Sequence, residues 1–281
     1  MNGVAYSGVV ETARQYYNSD DADNFYFHVW GGEDIHIGIY RGAEDSIAAA
    51  SRRTVERMAA RLAELGPATR VLDIGAGYGG SARYLARQHG CRVTALNLSE
   101  AENARNREAN ARQALDGLID VEDGSFESIA HGDGSFDVVW SQDAILHSGR
   151  RETVLAEVAR VLRPGGQFIF TDPMQADDCP DGVLQPVLDR IHLDSLGSPA
   201  FYRRAAAAAG LEELAFVDLS QQLPEHYARV RAELVGQRDA LGGKVSGDYI
   251  ERMQAGLGHW VEAGRSGYLA WGILHFRKPG G

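Results

Sequence analysis

Between Val71 and Ser81 the chain reads Val-Leu-Asp-Ile-Gly-Ala-Gly-Tyr-Gly-Gly-Ser, an apolar run that ends in glycines, with Asp73 two residues before the first. Glycines tolerate φ > 0 and let backbone amides come close to a ligand. A helix-like stretch follows at once, and a helix start presents free N–H groups to whatever sits there. Further on, Asp143 and His147 are spaced i, i+4 after a second apolar run, so one helical turn would put a carboxylate and an imidazole on one face. Histidine is the side chain whose unperturbed pKa lies nearest neutrality, which suits it to accept or relay a proton. The plainer reading is a histidine capping a short helix.

The glycine segment is compatible with two cofactors. Gly75, Gly77 and Gly80 fit G-x-G-x-x-G, a pattern that is weak evidence alone for a dinucleotide site. Such a site wants an acid about 20 residues later for the ribose hydroxyls. Here the next apolar run, Arg92–Leu96, leads into Asn97 instead. Asp73 would also repel a pyrophosphate. S-adenosylmethionine (SAM) has no phosphate and carries a cationic sulfonium and an ammonium, so beside it Asp73 is favourable. The residues point to SAM.

The elements that must position these groups are legible in the pattern. Short apolar runs alternate with amphipathic stretches, as in βαβ units and a parallel sheet. Strands are expected at Arg70–Ile74, Arg92–Leu96, Ile119–Asp123, Phe136–Ser141 and Gln167–Asp172. Helices are expected at Ile47–Leu65, Gly80–His89, Glu100–Leu115 and Arg151–Leu162, the last stopped by Arg163-Pro-Gly-Gly. A further helix, Ser198–Ala209, precedes an apolar run at Leu211–Val217, and Tyr268–Phe276 reads as one closing strand. Between them, 221–265 holds two helix-like stretches that a minimal sheet does not need. They are read as a cap over the strands' carboxyl ends, where α/β sheets bind ligands, with a dimer contact or surface decoration as the alternative. The division is then a helical segment 1–66 lining the site, a core of 67–220 and 266–281, and the cap.

Composition narrows the function classes. The 281 residues are 44% hydrophobic and 24% charged, ordinary for a globular chain. A formal net charge of -11 argues against nucleic-acid and anionic-membrane partners, which call for clustered Lys and Arg. Cys91 and Cys179 supply neither a disulfide framework nor zinc spacing, and no metal is expected. Met1–Tyr6 lacks the features of a signal peptide, and no run approaches the roughly 18 apolar residues of a membrane span. The chain reads as cytoplasmic; composition does not decide between monomer and homo-oligomer.

Several segments together resemble the sarcosine/dimethylglycine N-methyltransferases, within the class I SAM-dependent methyltransferases. They are Trp30–Gly38 (Trp-Gly-Gly-Glu-Asp-Ile-His-Ile-Gly), Gly75–Ser81, Trp140–Ser148, Thr171–Met174, Arg190–Ser198 and Ser266–Gly272, with Glu157–Gly166 before the fifth strand. The similarity runs from about Tyr16 to Lys278. It implies an α/β, Rossmann-like fold with a seven-stranded, mostly parallel sheet and a helical cap insertion. It further implies SAM as cofactor, dimethylglycine or sarcosine as substrate, and the osmoprotectant glycine betaine as product. Gly31–Gly38 and Ser141–His147 also resemble the phosphoethanolamine N-methyltransferases, which act on a phosphobase and form the alternative.

The resemblance assigns roles to residues. For the cofactor it implies Trp30, Gly38, Asp73 near the ammonium, Gly75 and Gly77 beside the methionine portion, and Asn97 on the ribose. It also implies Leu98, Glu102 toward the ribose or adenine, Ser125 and Phe126 flanking the adenine, and Gln142 beside the sulfonium. Asn97 could instead be a turn residue, Phe126 a core residue, and Ser99 is the better helix cap, with Glu102 three residues on. A Gln is the residue the resemblance suggests at 102. For catalysis, His147 is the candidate base, Asp143 the group that orients the amine or stabilises its charge, and Tyr17 the nearest match to a Tyr paired with the His in the phosphobase enzymes. For the substrate, Arg190 suits a carboxylate, with a surface ion pair as its alternative. Tyr26 and Trp30 suit a quaternary ammonium through cation–π attraction. Met174, His226, Tyr227 and Trp260 are further pocket candidates.

Overall fold

The computed structural model describes residues 8–30 and 32–280. Met1–Tyr6 and Gly31, both invoked above, lie outside the described residues. Helices α1 (Gly8–Tyr17), α2 (Asp20–Phe25) and a π-helical turn at Tyr26–Trp30 lead to α3 (Ile47–Ala59). The alternating core follows: β1 (Arg70–Ile74), α4 (Gly80–His89), β2 (Arg92–Asn97), α5 (Glu100–Arg112), β3 (Ile119–Asp123), β4 (Phe136–Gln142), α6 (Arg151–Val161) and β5 (Leu162–Thr171). Then come β6 (Met174–Gln175), α7 (Gln185–Ile191), α8 (Pro199–Ala208), β7 (Glu212–Asp218), α9 (Gln222–Gly236), α10 (Gly247–Arg265), β8 (Leu269–Ala270) and β9 (Gly272–Arg277).

Seven strands form one sheet in the order β3-β2-β1-β4-β5-β9-β7, with β9 antiparallel to both neighbours and the other pairings parallel. Side chains alternate between faces along a strand, and the central strands are apolar on both. Val71, Val138 and Ile169 enter one core with Val55, Met58 and Leu85 of α3 and α4. Their neighbours Leu72, Val139 and Phe168 enter a second core with Leu155, Val158 and Ala206 of α6 and α8. The fold is the mostly parallel Rossmann-like sheet expected. Because the strands run parallel, β1, β2 and β4 bring Asp73, Asn97 and Gln142 to the same edge. Ser46, Ser99, Ser198 and Ser246 each accept the N–H three residues on and so start α3, α5, α8 and α10.

β1, β3 and α4 occupy their expected spans, whereas other boundaries move for local reasons. Helix α3 stops at Ala59, not Leu65, as Arg61 and Leu62 close short turns onto Met58 and Ala59. Helix α5 stops at Arg112, not Leu115, because Ala114 takes a φ of 53° and the Leu115 N–H turns back onto Asn110 O at 2.9 Å. The Arg163–Gly166 stop is absorbed into β5 as an irregularity of its pairing with β4. Gly165 and Gly166 exchange hydrogen bonds with Lys278 at 2.9 and 2.8 Å. The expected closing strand is two: it breaks at Trp271, β8 pairing with β6 and β9 entering the main sheet. Helix α7, which carries Arg190, had no counterpart among the expected elements. Among the described residues no helix is long and apolar enough to cross a membrane.

At the break, Gly272 lies against the backbone carbonyl of Val217, where a Cβ would not fit without a backbone shift. Gly272→Ala is expected to lower stability by about 1–3 kcal/mol, the usual cost of overpacking. It would be read as a lower urea midpoint at unchanged m value; an unmoved midpoint would show that β7 and β9 separate freely.

Candidate active site

The carboxyl edge of the sheet borders three cavities that share walls. The first is lined by Asn97, Leu98, Ser99 and Glu102 at one end and by Gly75, Phe126 and Ala144 along its side. Tyr17, Tyr26, Gln142, Asp143 and His147 close its other end. Asn97 Nδ2 donates to Glu102 Oε2 at 2.8 Å, and burial pushes the Glu102 carboxyl up to about 7. Gly75 has a φ of 74°, and a Cβ there would collide with Ala144, so glycine is what permits β1 and the segment after β4 to approach.

A second, smaller cavity lies beside Gly75 and Gly77 and is lined by Asp34, His36, Asp73, Ser81 and Gln142. Four buried polar atoms of its lining have no hydrogen-bond partner: Asp34 Oδ1, His36 Nε2, Asp73 Oδ2 and Gln142 Nε2; of these, Asp34 Oδ1 and His36 Nε2 lie 3.9 Å apart, and Asp34 Oδ2 pairs with Arg52 at 2.8 Å. Gln142 Oε1 is fixed by donors from Ser81 Oγ at 2.5 Å and Trp140 Nε1 at 3.0 Å, which leaves its NH2 for the cavity. Burial pushes Asp73 up to about 7, with His36 pulling the other way. Buried polar atoms are rarely left unpaired. Two carboxylate oxygens beside an amide donor fit a ligand end that bears both an ammonium and an acceptor. The residues therefore fit the methionine portion of SAM.

The third cavity lies on the far side of Asp143 and His147, and both residues wall it. Tyr17, Tyr26, Trp30, Arg190, Tyr227 and Trp260 line it as well, beside aliphatic side chains such as Ile35, Ile37 and Leu193. Tyr26 and Trp30 rings lie 5.3 Å apart and Tyr227 and Trp260 rings 4.9 Å apart. Arg190 is the cavity's single Arg or Lys among the described residues. It has no carboxylate partner there: its Nη2 lies 3.7 Å from Met253 Sδ, and its buried Nε is unpartnered. Burial opposes its charge, yet Tyr26, Tyr16, Tyr227 and Tyr249 favour it, and the net direction is upward.

Asp143 and His147 meet by a route other than the expected helical turn. Asp143 takes a φ of 50°, its N–H bonds Thr171 O at 2.9 Å, and a short 3-10 turn at Ile145–His147 follows. Asp172 Oδ1 accepts the Leu146 N–H at 3.0 Å and Arg151 Nη2 donates to Leu146 O at 2.8 Å, which pins that turn. His147 Nε2 lies 2.9 Å from Tyr17 Oη, so α1 closes over the site through this pair. Burial, with Arg151 and Arg190 nearby, lowers His147 to about 4. Burial holds Tyr17 well above its ordinary range and therefore protonated. Asp143 Oδ2 accepts the Ile37 N–H at 2.6 Å and Oδ1 accepts Trp271 Nε1 at 2.8 Å. Burial raises Asp143, and these bonds offset part of the rise.

Four of the expected site and pocket residues, Gly38, Ser125, Met174 and His226, line none of these cavities. Gly38 packs against Ala50 of α3 and donates its N–H to His226 Nδ1 at 3.1 Å, so its missing side chain serves helix packing. Ser125 Oγ accepts the Glu127 N–H at 3.1 Å and shapes the turn that presents Phe126. Met174, the first residue of β6, is fully buried in the second core. Trp30 walls the third cavity and is absent from the lining of the first two. His226 is buried between Gly38 and the Tyr40 hydroxyl, 2.9 Å away, and lines none of the three. Asp34, His36, Ser81 and Trp271 were not singled out from sequence. All four lie within segments that carried the resemblance, but spacing along the chain does not reveal which side chains turn inward.

A family model described as a methyltransferase domain matches residues 72–170. The chain is 62% identical to a sarcosine/dimethylglycine N-methyltransferase of Halorhodospira halochloris, over 96% of this chain and 96% of that protein. The chain belongs to the sarcosine/dimethylglycine N-methyltransferase family. Identity to a protein of the same name from Aphanothece halophytica is 53%, over 96% of this chain and 98% of that one. A crystal structure from Galdieria sulphuraria, assigned as a sarcosine dimethylglycine methyltransferase, superposes with a TM-score of 0.90 at 44% identity, covering 94% and 99% of the two chains. As a member of the sarcosine/dimethylglycine N-methyltransferase family, the chain is a SAM-dependent enzyme of the Rossmann-like class.

The His147 environment makes a direct prediction. A group whose pKa falls on folding binds its proton better when unfolded, so its contribution to stability is lost as pH drops from about 6.5 toward about 4. In NMR the His147 ring is expected to keep the neutral pattern from pH 8 to pH 5. A midpoint near 6.5 would show instead that the ring is solvated.

Proposed function

We propose that this enzyme transfers methyl groups from SAM to the nitrogen of dimethylglycine, and of sarcosine before it, to give glycine betaine. The observation that carries the substrate class is the Arg190 guanidinium, without a carboxylate partner, in a cavity it shares with Tyr17, Tyr26, Trp30, Tyr227 and Trp260. A charged donor fork without a carboxylate of its own chain favours a carboxylate ligand, which it can bind bidentately. A phosphobase dianion would call for several cations, and Arg190 is the single Arg or Lys of the described lining.

In this reading Asp73, assisted by Asp34, holds the ammonium of the cofactor, and Asn97 and Glu102 take its ribose. Leu98 and Phe126 cover the adenine. Gln142 lies where the two cofactor cavities meet. When bound, SAM supplies an electrophilic methyl group on a sulfonium. Asp143 walls both the cofactor and the substrate cavities, so its carboxylate faces the amine as that nitrogen becomes cationic. Tyr26, Trp30, Tyr227 and Trp260 offer faces to the resulting quaternary ammonium, each worth about 0.5–2 kcal/mol.

The amine must lose a proton before attack, since a dimethylammonium group in water is mostly protonated at neutral pH. Tyr17 Oη can accept that proton while passing its own to His147 Nε2, so the pair relays one proton and the Tyr ends neutral. Helices α9 and α10, residues 222–265, act as the cap, contributing Tyr227 and Trp260 to the substrate cavity. The segment before β1 supplies the opposite wall through Tyr17, Tyr26 and Trp30.

With methyl-labelled SAM, transfer to dimethylglycine and sarcosine is expected, and none to phosphoethanolamine; turnover of phosphoethanolamine alone would overturn the substrate class. Asp73 has a second consequence. An ammonium beside a carboxyl that titrates near 7 pulls its pKa down, so binding releases a proton below that pH. SAM affinity, measured by calorimetry, is expected to rise from pH 6 to pH 8. Asp73→Asn should weaken binding by about 1.5–3 kcal/mol and flatten the rise. A wild-type affinity independent of pH would remove Asp73 from the ammonium site.

A further inference from the structure

Helix α10 carries glycine at its centre, at Gly256, where glycine is less favourable than any residue but proline. Its φ is not in the left-handed region, so the backbone does not require it. What requires it is Arg190. A Cβ on residue 256 would collide with Arg190 Cδ and come within 2.8 Å of Cγ and 2.9 Å of Nε. The bare face of α10 is thus a slot across which the Arg190 side chain lies. Arg190 also walls the open groove between α1, α7 and α10, whose lining includes Gly256. The slot therefore sets how far the guanidinium reaches from that groove into the aromatic cavity.

We propose that Gly256 is a positioning residue for substrate recognition: by leaving space on α10 it seats the Arg190 guanidinium where it can receive the substrate carboxylate. This rests on the reading of Arg190 given above. The atoms a new Cβ would meet belong to a long, flexible side chain and not to backbone, so the collision is relieved by moving Arg190. The helix itself would gain from the exchange. Gly256→Ala should therefore damage binding of the amino acid without damaging the fold.

Gly258, two residues on, provides the control, since a Cβ there meets Arg231 only at 3.7 Å, an ordinary contact. Gly258→Ala is expected to leave the KM for dimethylglycine unchanged. Arg190→Ala is expected to raise that KM by about 10- to 100-fold, the usual loss for a hydrogen bond to a charged group. Gly256→Ala should raise it at least about fivefold, a partial loss of the same interaction, with Tm not lowered and SAM affinity unchanged. In the Arg190→Ala background, Gly256→Ala should add nothing, because the side chain it displaces is gone. An unchanged KM in Gly256→Ala, or an undiminished effect in the double variant, would overturn the positioning role while leaving Arg190 as the carboxylate partner. An unchanged KM in Arg190→Ala would overturn the carboxylate reading and this inference with it.

Discussion

Asp143 is where the fold and the site become one problem. Its two oxygens accept from Ile37 N, in the segment before the sheet, and from Trp271 Nε1, at the break in the closing strand. Its own backbone is held to Thr171 at the end of β5. Three distant stretches of chain therefore converge on one buried residue that walls both the first and the third cavity. Such a group is costly to bury unless it is bonded, and these donors supply what water would have supplied. Trp271 stands at the interruption between β8 and β9, and from there its indole reaches Asp143.

Charge around the site follows one rule, that burial disfavours ionisation. Asp73 and Glu102 are raised to about 7, while His147 is lowered to about 4. Left to themselves these groups approach neutrality, and a ligand of the right charge reverses the balance. A cation beside Asp73 restores its ionised form, and an anion on Arg190 relieves an unpaired guanidinium. The buried atoms without a hydrogen-bond partner, Asp73 Oδ2 and Gln142 Nε2 in one cavity and Arg190 Nε at the other, fit the proposed reading of two amino-acid ends, one for the donor and one for the acceptor.

What was legible in the sequence was whatever has a local cause. The Val71–Gly80 run gives strand, turn and helix within ten residues, and β1 and α4 occupy their expected spans. Tyr17 and His147 are 130 residues apart, and only the resemblance could pair them; the Tyr17 hydroxyl does lie 2.9 Å from His147 Nε2. Gly38 illustrates the opposite case. Its motif marks a place where backbone packs tightly, but sequence cannot distinguish tight packing against a ligand from tight packing against α3, and the contact is with Ala50. Ser125 and Met174 stand next in sequence to the pocket residues Phe126 and Pro173, yet Ser125 is bonded to its own turn and Met174, on β6, is buried in the second core. Helix α7 was missed because Gln185–Ile191 is seven residues long, too short for a periodic pattern to show.

The low basicity of His147 is consistent with a role in deprotonation once the substrate is considered in the same cavity. A base near 4 would be a poor acceptor for an ammonium near 10 in water. Burial, however, acts on both partners in the same sense, since it disfavours a protonated amine as it disfavours a protonated imidazole. The cavity that lowers His147 also strips water from the substrate nitrogen, and the gap narrows. Asp143 works against that narrowing by favouring a positive nitrogen, and its own burial moderates this, because a carboxyl raised in pKa carries its charge less readily. A more strongly ionised Asp143 would hold the substrate as its unreactive ammonium. A fully neutral one would give up its stabilisation of the charge that develops as the fourth carbon is added. The hydrogen bonds from Ile37 and Trp271 offset part of the rise that burial imposes on Asp143, so in the proposed reaction the contacts that hold the fold together there also bear on the charge beside the amine.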